Sequence, residues 1–221
     1  MRNYFKFIWM LAIAFSFATV SCSSDDVVPA NNDNGNGNGN GGEEPTEGIA
    51  GDMSKMEFKE NTLYKVTGDL SVPEGQSVTI PKGVTLEFQE GPAGEAWFLE
   101  VFGSLYILGE ENARVTLTAS NALINSSKNQ GIGGLWGGVI GTITTGDLVI
   151  RYTDILYPGG TTRQENAMAQ PATGGGGELS AGDASYGIYF VREDGQRQDG
   201  IFVLQHSSLS FTPDDGIRIN G

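Results

Sequence analysis

The chain has one cysteine, Cys22, and one histidine, His206, in 221 residues. Without a second thiol there is no disulfide within the chain, and one cysteine with one histidine cannot supply the four ligands of a structural zinc site. Basic residues are scarce too: 13 Lys and Arg stand against 27 Asp and Glu, a formal charge of −14 at pH 7. Such an excess of acid repels phosphate backbones and leaves no polybasic patch for anionic lipid, so nucleic acid is excluded as a partner. Apolar runs are short. The one sustained run, residues 7–18, falls below the roughly 20 residues that cross a bilayer. Beyond residue 51 no long segment carries the helical period of 3.6.

What the N-terminus does have is ordered. Arg2 and Lys6 precede the apolar run, small residues close it, and Cys22 is followed by Ser23-Ser24-Asp25-Asp26. A basic start, a short apolar stretch and small residues before a break describe a cleaved secretory signal, and a cysteine at the break describes a lipoprotein signal. Thr19-Val20-Ser21-Cys22 resembles a bacterial lipobox, with Thr19 where leucine is usual, similar to the looser form of Bacteroidetes. Ser-Ser-Asp-Asp also looks like that phylum's surface-export signal. The expectation is a signal peptide over residues 1–21 and a mature chain beginning at an acylated Cys22 that partners a lipid membrane. Removal of residues 1–21 takes the basic count from 13 to 11 and the net charge from −14 to −16. Attachment then rests on acyl groups, of which two or more hold stably where one does not. The implied location is the outer membrane, lipid-anchored and surface-exposed.

Residues 31–42 read NNDNGNGNGNGG, and acidic residues with Gly and Pro continue to Gly51. This composition buries too little apolar surface to offset its ordering entropy, so residues 22–51 are expected to form a disordered tether with a reach of roughly 30 Å. Gly37, Gly39 and Gly42 match G-x-G-x-x-G, but no strand precedes them and no helix follows, so the match is chance.

From residue 52 the chain turns β-rich, with short alternating segments broken by Gly, Pro, Asn and Asp. Tyr64, Val66, Leu70 and Val72 fall on one parity, as a half-buried strand requires, with Gly68 read as a bend. Pro73-Glu-Gly-Gln76 and Pro81-Lys-Gly83 are turn signals around the next strand. Val78-Thr-Ile80, Val84-Thr-Leu86 and Val115-Thr-Leu117 repeat one pattern, and Leu148-Val-Ile150 opens a further segment; Val84 and Val115 are 31 apart, Val115 and Leu148 33. A strand-and-turn unit of that length suggests a solenoid or a propeller. A propeller needs several four-stranded blades to close, more than about 170 residues supply, whereas a solenoid needs no closure. The predicted fold class is therefore all-β, a parallel β-helix over residues 52–221, with apolar residues inward and Thr, Glu and Asp outward. Residues 161–184, with Pro171 and the run 174–177 of glycines, read as a long outward loop.

Three stretches resemble the secreted or lipidated right-handed β-helix proteins of Bacteroidetes: Val78-Thr-Ile-Pro-Lys-Gly-Val-Thr-Leu-Glu-Phe88, Gly134-Leu-Trp-Gly-Gly-Val-Ile140, and Ile150-Arg-Tyr-Thr-Asp-Ile-Leu-Tyr-Pro-Gly-Gly160 with Asp214-Asp-Gly-Ile-Arg-Ile219. The similarity covers residues 62–221. It implies the right-handed fold and says little of activity, because the family's biochemical role is not established. Members usually run well past the Asp-Asp-Gly-Ile segment, whereas this chain stops at Gly221, which reads as a fragment lacking further turns of the helix.

Candidate chemistry is thin. Asp214 and Asp215 precede an alternating segment in a way similar to the Asp-Asp turns of β-helical polygalacturonases, and a carboxylate pair can divide acid and base roles. The Gly-His-Gly and Arg-Ile-Lys that accompany such a pair are missing. A lyase would use acids such as Asp154, Asp183, Asp214 and Asp215 to hold calcium, with Arg151 or Arg218 as base, but no calcium-loop spacing appears. His206 and Ser207 point to opposite faces of a strand, though Ser208 shares the histidine's face, so a triad with an Asp is geometrically awkward. For binding, the aromatics stand out: Trp97, Phe98, Tyr106, Trp136 and the pairs Tyr152/Tyr157 and Tyr186/Tyr189. Aromatic faces beside polar side chains hold sugar rings. Trp136, in a glycine-flanked strand, is assigned to the interior. The spacings of five and three split each tyrosine pair across a continuous strand, so one of each pair is expected to be exposed.

The function these features favour is a surface lipoprotein that binds or scaffolds a glycan, another surface polymer or a surface protein, without catalysis and without a resident cofactor, calcium being the one cation its acids suit. The alternatives are a β-helical polysaccharide lyase or glycoside hydrolase, and a purely structural surface protein. Replacing Cys22 with Ala is expected to move the protein from the membrane to the soluble fraction and to abolish incorporation of labelled palmitate. Label retained by the variant would put the anchor elsewhere.

Overall fold

Strands begin at Ile49, where the backbone of a Gly-Ile-Ala-Gly stretch pairs with the strand that follows. The computed structural model describes residues 48–126, 133–171, 179–191 and 200–220; the leader, Cys22 and residues 22–47 of the tether lie outside them. The opening strands are β1 (Ile49–Asp52) and β2 (Leu63–Val72). Four triplets follow. They are β3 (Ser77–Pro81), β4 (Thr85–Phe88) and β5 (Leu99–Val101); β6 (Ser104–Leu108), β7 (Val115–Ala119) and β8 (Val139–Gly141); β9 (Leu148–Arg151), β10 (Thr153–Leu156) and β11 (Ile188–Val191); and β12 (Phe202–Gln205), β13 (Ser208–Ser210) and β14 (Ile217–Asn220).

Each strand pairs in parallel with its counterpart three places on, giving rows β3-β6-β9-β12, β4-β7-β10-β13 and β5-β8-β11-β14. The first half of β2 pairs with β4 and its second half with β5, which joins those two rows into one ten-stranded sheet beside the four-stranded β3 row. The chain is thus mostly β, with parallel sheets. Gly68 lies at the changeover within β2, where a Cβ would come within 2.7 Å of the Ala50 Cβ on β1.

Period-two alternation places one apolar set inward in every row. In the β3 row Ile80, Ile107, Ile150 and Leu204 are register partners, and in the β4 row Leu86, Leu117, Ile155 and Leu209 stack in the same way. Tyr64, Val66, Leu70 and Val72 are all buried, as their parity predicts. Gly141 gives up its side chain to Phe190, its partner on β11, whose ring a Cβ there would meet at 2.9 Å. Trp136 is fully buried, stacks on Phe88 at 4.2 Å and 12°, and donates its indole N–H to the Leu156 carbonyl at 2.8 Å. Among the described residues β12, β13 and β14 pair on one side only, and Ile217 and Ile219 of β14 are 41% and 58% exposed.

The 31-residue repeat is real between β4 and β7, where Thr85 faces Thr116, and false beyond it. Leu148 belongs to the β3 row opposite Leu105, and the residue opposite Val115 is Thr153. Val78-Thr-Ile80 lies in the β3 row and Val-Thr-Leu at 84–86 and 115–117 in the β4 row, so the Val-Thr-aliphatic pattern by itself does not say which row a strand joins.

Residues 161–184 also depart from expectation. Thr161 bridges Ala184, and among the described residues the first arm lies back against the outer face of the β5 row. A short 3-10 turn, Ala167–Ala169, presses the fully buried Met168 against Phe98, Ile140, Tyr189 and Val191. Arg163 clips this strap down: it pairs with Asp69, donates to the Ala96 carbonyl and to Glu165 at 2.7 Å, and lies over the Trp97 ring. Glu100 accepts from the Ala167 N–H at 2.8 Å, and burial pushes its carboxyl above the usual range. An apolar face, not loop composition, sets the direction of this segment.

Trp136→Ala removes the largest interior side chain and is expected to cost about 3–5 kcal/mol, read as a lower urea midpoint. Thr116→Ala on the outward face should stay within about 0.5 kcal/mol. Equal effects would mean that the interior does not lie where the columns put it.

Candidate functional site

Strands β9 and β10 are separated by one residue, Tyr152, and a chain that reverses its pairing row in one residue needs a left-handed backbone. Tyr152 has φ 46°, and its counterpart after β12, His206, has φ 52°. At the other ends of β10 and β13, Tyr157 and Phe211 have φ 62° and 61°. Bulky residues pay of order 1–3 kcal/mol for such a backbone and persist where their surroundings over-determine it. The surroundings here are one another. Arg151 faces Gln205 and Leu156 faces Ser210, so the corners stack in register. Tyr152 lies on His206 at 4.6 Å and 12°, and Tyr157 on Phe211 at 4.5 Å and 8°. Each stack returns about 0.5–1.5 kcal/mol beyond the area buried.

Two neighbouring strands are therefore bracketed at both ends by aromatic pairs. Between the pairs the outward side chains are polar in the first column, with Thr85, Thr116, Asp154 and Ser208 in register across the row. Arg114 holds the Tyr152 corner. It grips Asp154 with two bonds, at 2.8 and 2.7 Å, and donates to the carbonyls of His206 at 2.9 Å and Thr153 at 3.2 Å. Ser208 donates to the same carboxylate at 2.6 Å. The Arg114 guanidinium draws Asp154 below the ordinary carboxylate range, against some desolvation, with Ser208 helping. His206 is exposed, Phe211 is 50% exposed, and Tyr152 and Tyr157 are half-buried, Tyr157 packing against the interior cluster.

The other predicted residues fall elsewhere. Tyr186 and Tyr189 lie under the strap, 9% and 0% exposed, and stack on each other at 5.6 Å and 14°. The expected split across a strand fails because Tyr186 precedes β11, where strand parity does not apply. Tyr152 and Tyr157 escape it for the same reason, being corner residues. Asp214 and Asp215 are exposed in the turn ahead of β14, in another row from Asp154, which is committed to Arg114. Among the described residues no group of three or more His, Cys, Asp or Glu could hold a metal. The serines are also engaged without the histidine: Ser207 donates to the Gln205 carbonyl at 2.8 Å and accepts from the Thr153 N–H, while the His206 ring stacks on Tyr152. A triad is not assembled. Cys22 lies outside the described residues.

Sequence reasoning missed His206 and Phe211 as ring partners and Arg114 as their brace. A signal for the first two exists. Ile150-Arg-Tyr-Thr-Asp-Ile-Leu-Tyr157 and Leu204-Gln-His-Ser-Ser-Leu-Ser-Phe211 match in pattern, ring for ring, and pair in register. Comparison of the chain with protein-family models, with curated proteins and with solved structures finds no match.

The Arg114–Asp154 pair is half-exposed, so its worth is at the low end, about 1 kcal/mol with its hydrogen bonds. Because the folded carboxyl is depressed, this stability is present above the unfolded value near 3.9 and is lost as pH falls through the lower folded one. Thermal melts of wild type and Asp154→Ala are expected to differ at neutral pH and to converge in that acid window. Curves that stay parallel would show that the pair contributes nothing specific.

Proposed function

We propose that this chain is an outer-membrane, surface-exposed lipoprotein, anchored through Cys22, whose parallel rows wind as a right-handed β-helix and whose β4-row face binds a glycan or a similar surface polymer without catalysis. The carrying observation is the pair of aromatic stacks at the two ends of β10 and β13, with hydroxyls and a braced carboxylate between them. The exposed rings of these stacks, His206 and Phe211, flank a polar strip, which suits a chain of sugar units whose apolar faces stack while their hydroxyls exchange hydrogen bonds. The progression of each strand to a partner three places on supports the helical winding. The engagement of Asp154 by Arg114 and Ser208 supports binding over hydrolysis.

Affinity electrophoresis of the full chain against a panel of polysaccharides is expected to show retardation by at least one neutral polymer. Tyr152→Asn and Phe211→Asn keep a residue that tolerates the left-handed backbone while removing the ring, and together they should weaken retardation about tenfold. No retardation by any polymer would overturn the reading. New chain ends in the incubated polymer would move the protein to the enzyme class.

A further inference from the structure

A concavity unrelated to that face lies at the corner between the β5 row and the β3 row. Three successive corners of different length meet there. The first, residues 73–76, is a projecting turn closed by the Gln76 N–H on the Pro73 carbonyl at 3.0 Å, with Gly75 at φ 72°. The second is two residues long, Phe102 and Gly103. The third, residues 142–147, projects again and is tied back by Thr144 on the Phe102 carbonyl at 3.0 Å. Gly103 is drawn in so far that a Cβ would sit 2.3 Å from the carbonyl oxygens of Pro73 and Gln76. A short corner between two long ones leaves a notch of about 300 Å³, floored by Gly103 and walled by Glu74, Gln76, Ser77, Ser104 and Thr144. That volume is at the lower end of small-molecule sites.

The lining decides the ligand. No aromatic or aliphatic side chain lines the notch, so it offers nothing to a lipid or a flat ring. It has no Lys or Arg and has one carboxylate, Glu74, so phosphate, sulfate and uronate are disfavoured. What it offers is hydroxyl, carboxamide, carboxylate and close backbone, groups that match a ligand whose every edge both donates and accepts. Glu74, Gln76 and Ser77 are exposed. We infer that the notch is a binding site for one neutral sugar ring, with Glu74 and Gln76 bridging adjacent hydroxyls. Each bond replaces one to water and nets only about 0.5–1.5 kcal/mol, which sets a single ring in the millimolar range. The inference names a sugar, as the proposed function does, yet it rests on different residues: neither Tyr152 nor Phe211 lines this corner.

The test is a titration of the ¹⁵N-labelled full chain with glucose, galactose and mannose, and in parallel with a uronic acid. Saturable shifts are expected at the amides of Gln76, Ser77, Ser104 and Gly146 with at least one neutral sugar, and weaker ones with the uronic acid. Glu74→Ala with Gln76→Ala, both on the exposed turn, should weaken binding about tenfold, whereas Tyr152→Asn should leave these shifts unchanged. Silence of those amides with all three neutral sugars, equal response to the uronic acid, or an unaffected double variant would each overturn the site. Polymer binding retained in the aromatic variants, with the notch shifts intact, would reject the proposed face and leave this inference standing.

Discussion

In-register parallel pairing of each strand with the one three places later is the constraint on which the other features depend. Side chains alternate with a period of two, so a slip of one residue would turn Ile80, Ile107 and Ile150 outward and their polar neighbours inward. Burial therefore fixes the register, and the register extends past the strand ends. Arg151 opposite Gln205 brings Tyr152 over His206, and Leu156 opposite Ser210 brings Tyr157 over Phe211. The left-handed corners tolerate bulky residues because pairing on one side and ring stacking on the other leave them no cheaper arrangement.

What the register does not fix is the length of the corners. From β5 to β6 the chain needs only Phe102 and Gly103, while from β8 to β9 it uses residues 142–147 and from β10 to β11 it inserts the whole strap. Closing a longer loop costs little extra, so corners vary freely while columns stay aligned. The notch is one consequence and the strap another. The strap brings its own core, Met168 on Phe98 and Tyr189, and it covers the half-buried Glu100 of β5. With its carboxyl raised by desolvation, Glu100 favours the folded strap fully below its unfolded value near 4.3, and that contribution fades as pH rises through the raised one.

Parity within a continuous strand was legible from the residues. Tyr64, Val66, Leu70 and Val72 share a face because β2 runs unbroken, and Pro73 and Pro81 mark the turns that follow. The all-β, parallel character followed from short apolar segments and repeated Val-Thr-Leu patterns. The rows themselves were not legible, since Leu148 reads like Val115 yet pairs with Leu105. Nor was β1, whose place depends on backbone bonds that Ile49-Ala-Gly does not advertise. At the site, Tyr152 and Tyr157 were found as aromatics, but their partners needed the 150–157 and 204–211 match, and the fate of Tyr186 and Tyr189 needed the strap. Composition gave residues 161–184 as loop, whereas the apolar outer face of the β5 row decided where its described first arm lies.

The scarcity of cations bears on what such a face could hold. Arg114 is committed to Asp154, Arg163 to Asp69 and Glu165, and Lys82 to Glu110 and Glu60. These three basic groups hold corners and strap together, while Arg151, next to Tyr152, stays exposed. With a net charge of −14 the chain exerts no long-range pull on polyanions, and its short-range contacts are individually weak. Weak contacts suffice where they repeat along a polymer, because each one made raises the effective concentration for the next. Under the proposed function the anchor would work in the same direction: a domain tethered at a typical distance of roughly 30 Å from the membrane would not need to capture a polymer from dilute solution. Low affinity per sugar ring is then what a tethered surface binder of this composition requires, because each unit can let go while its neighbours hold.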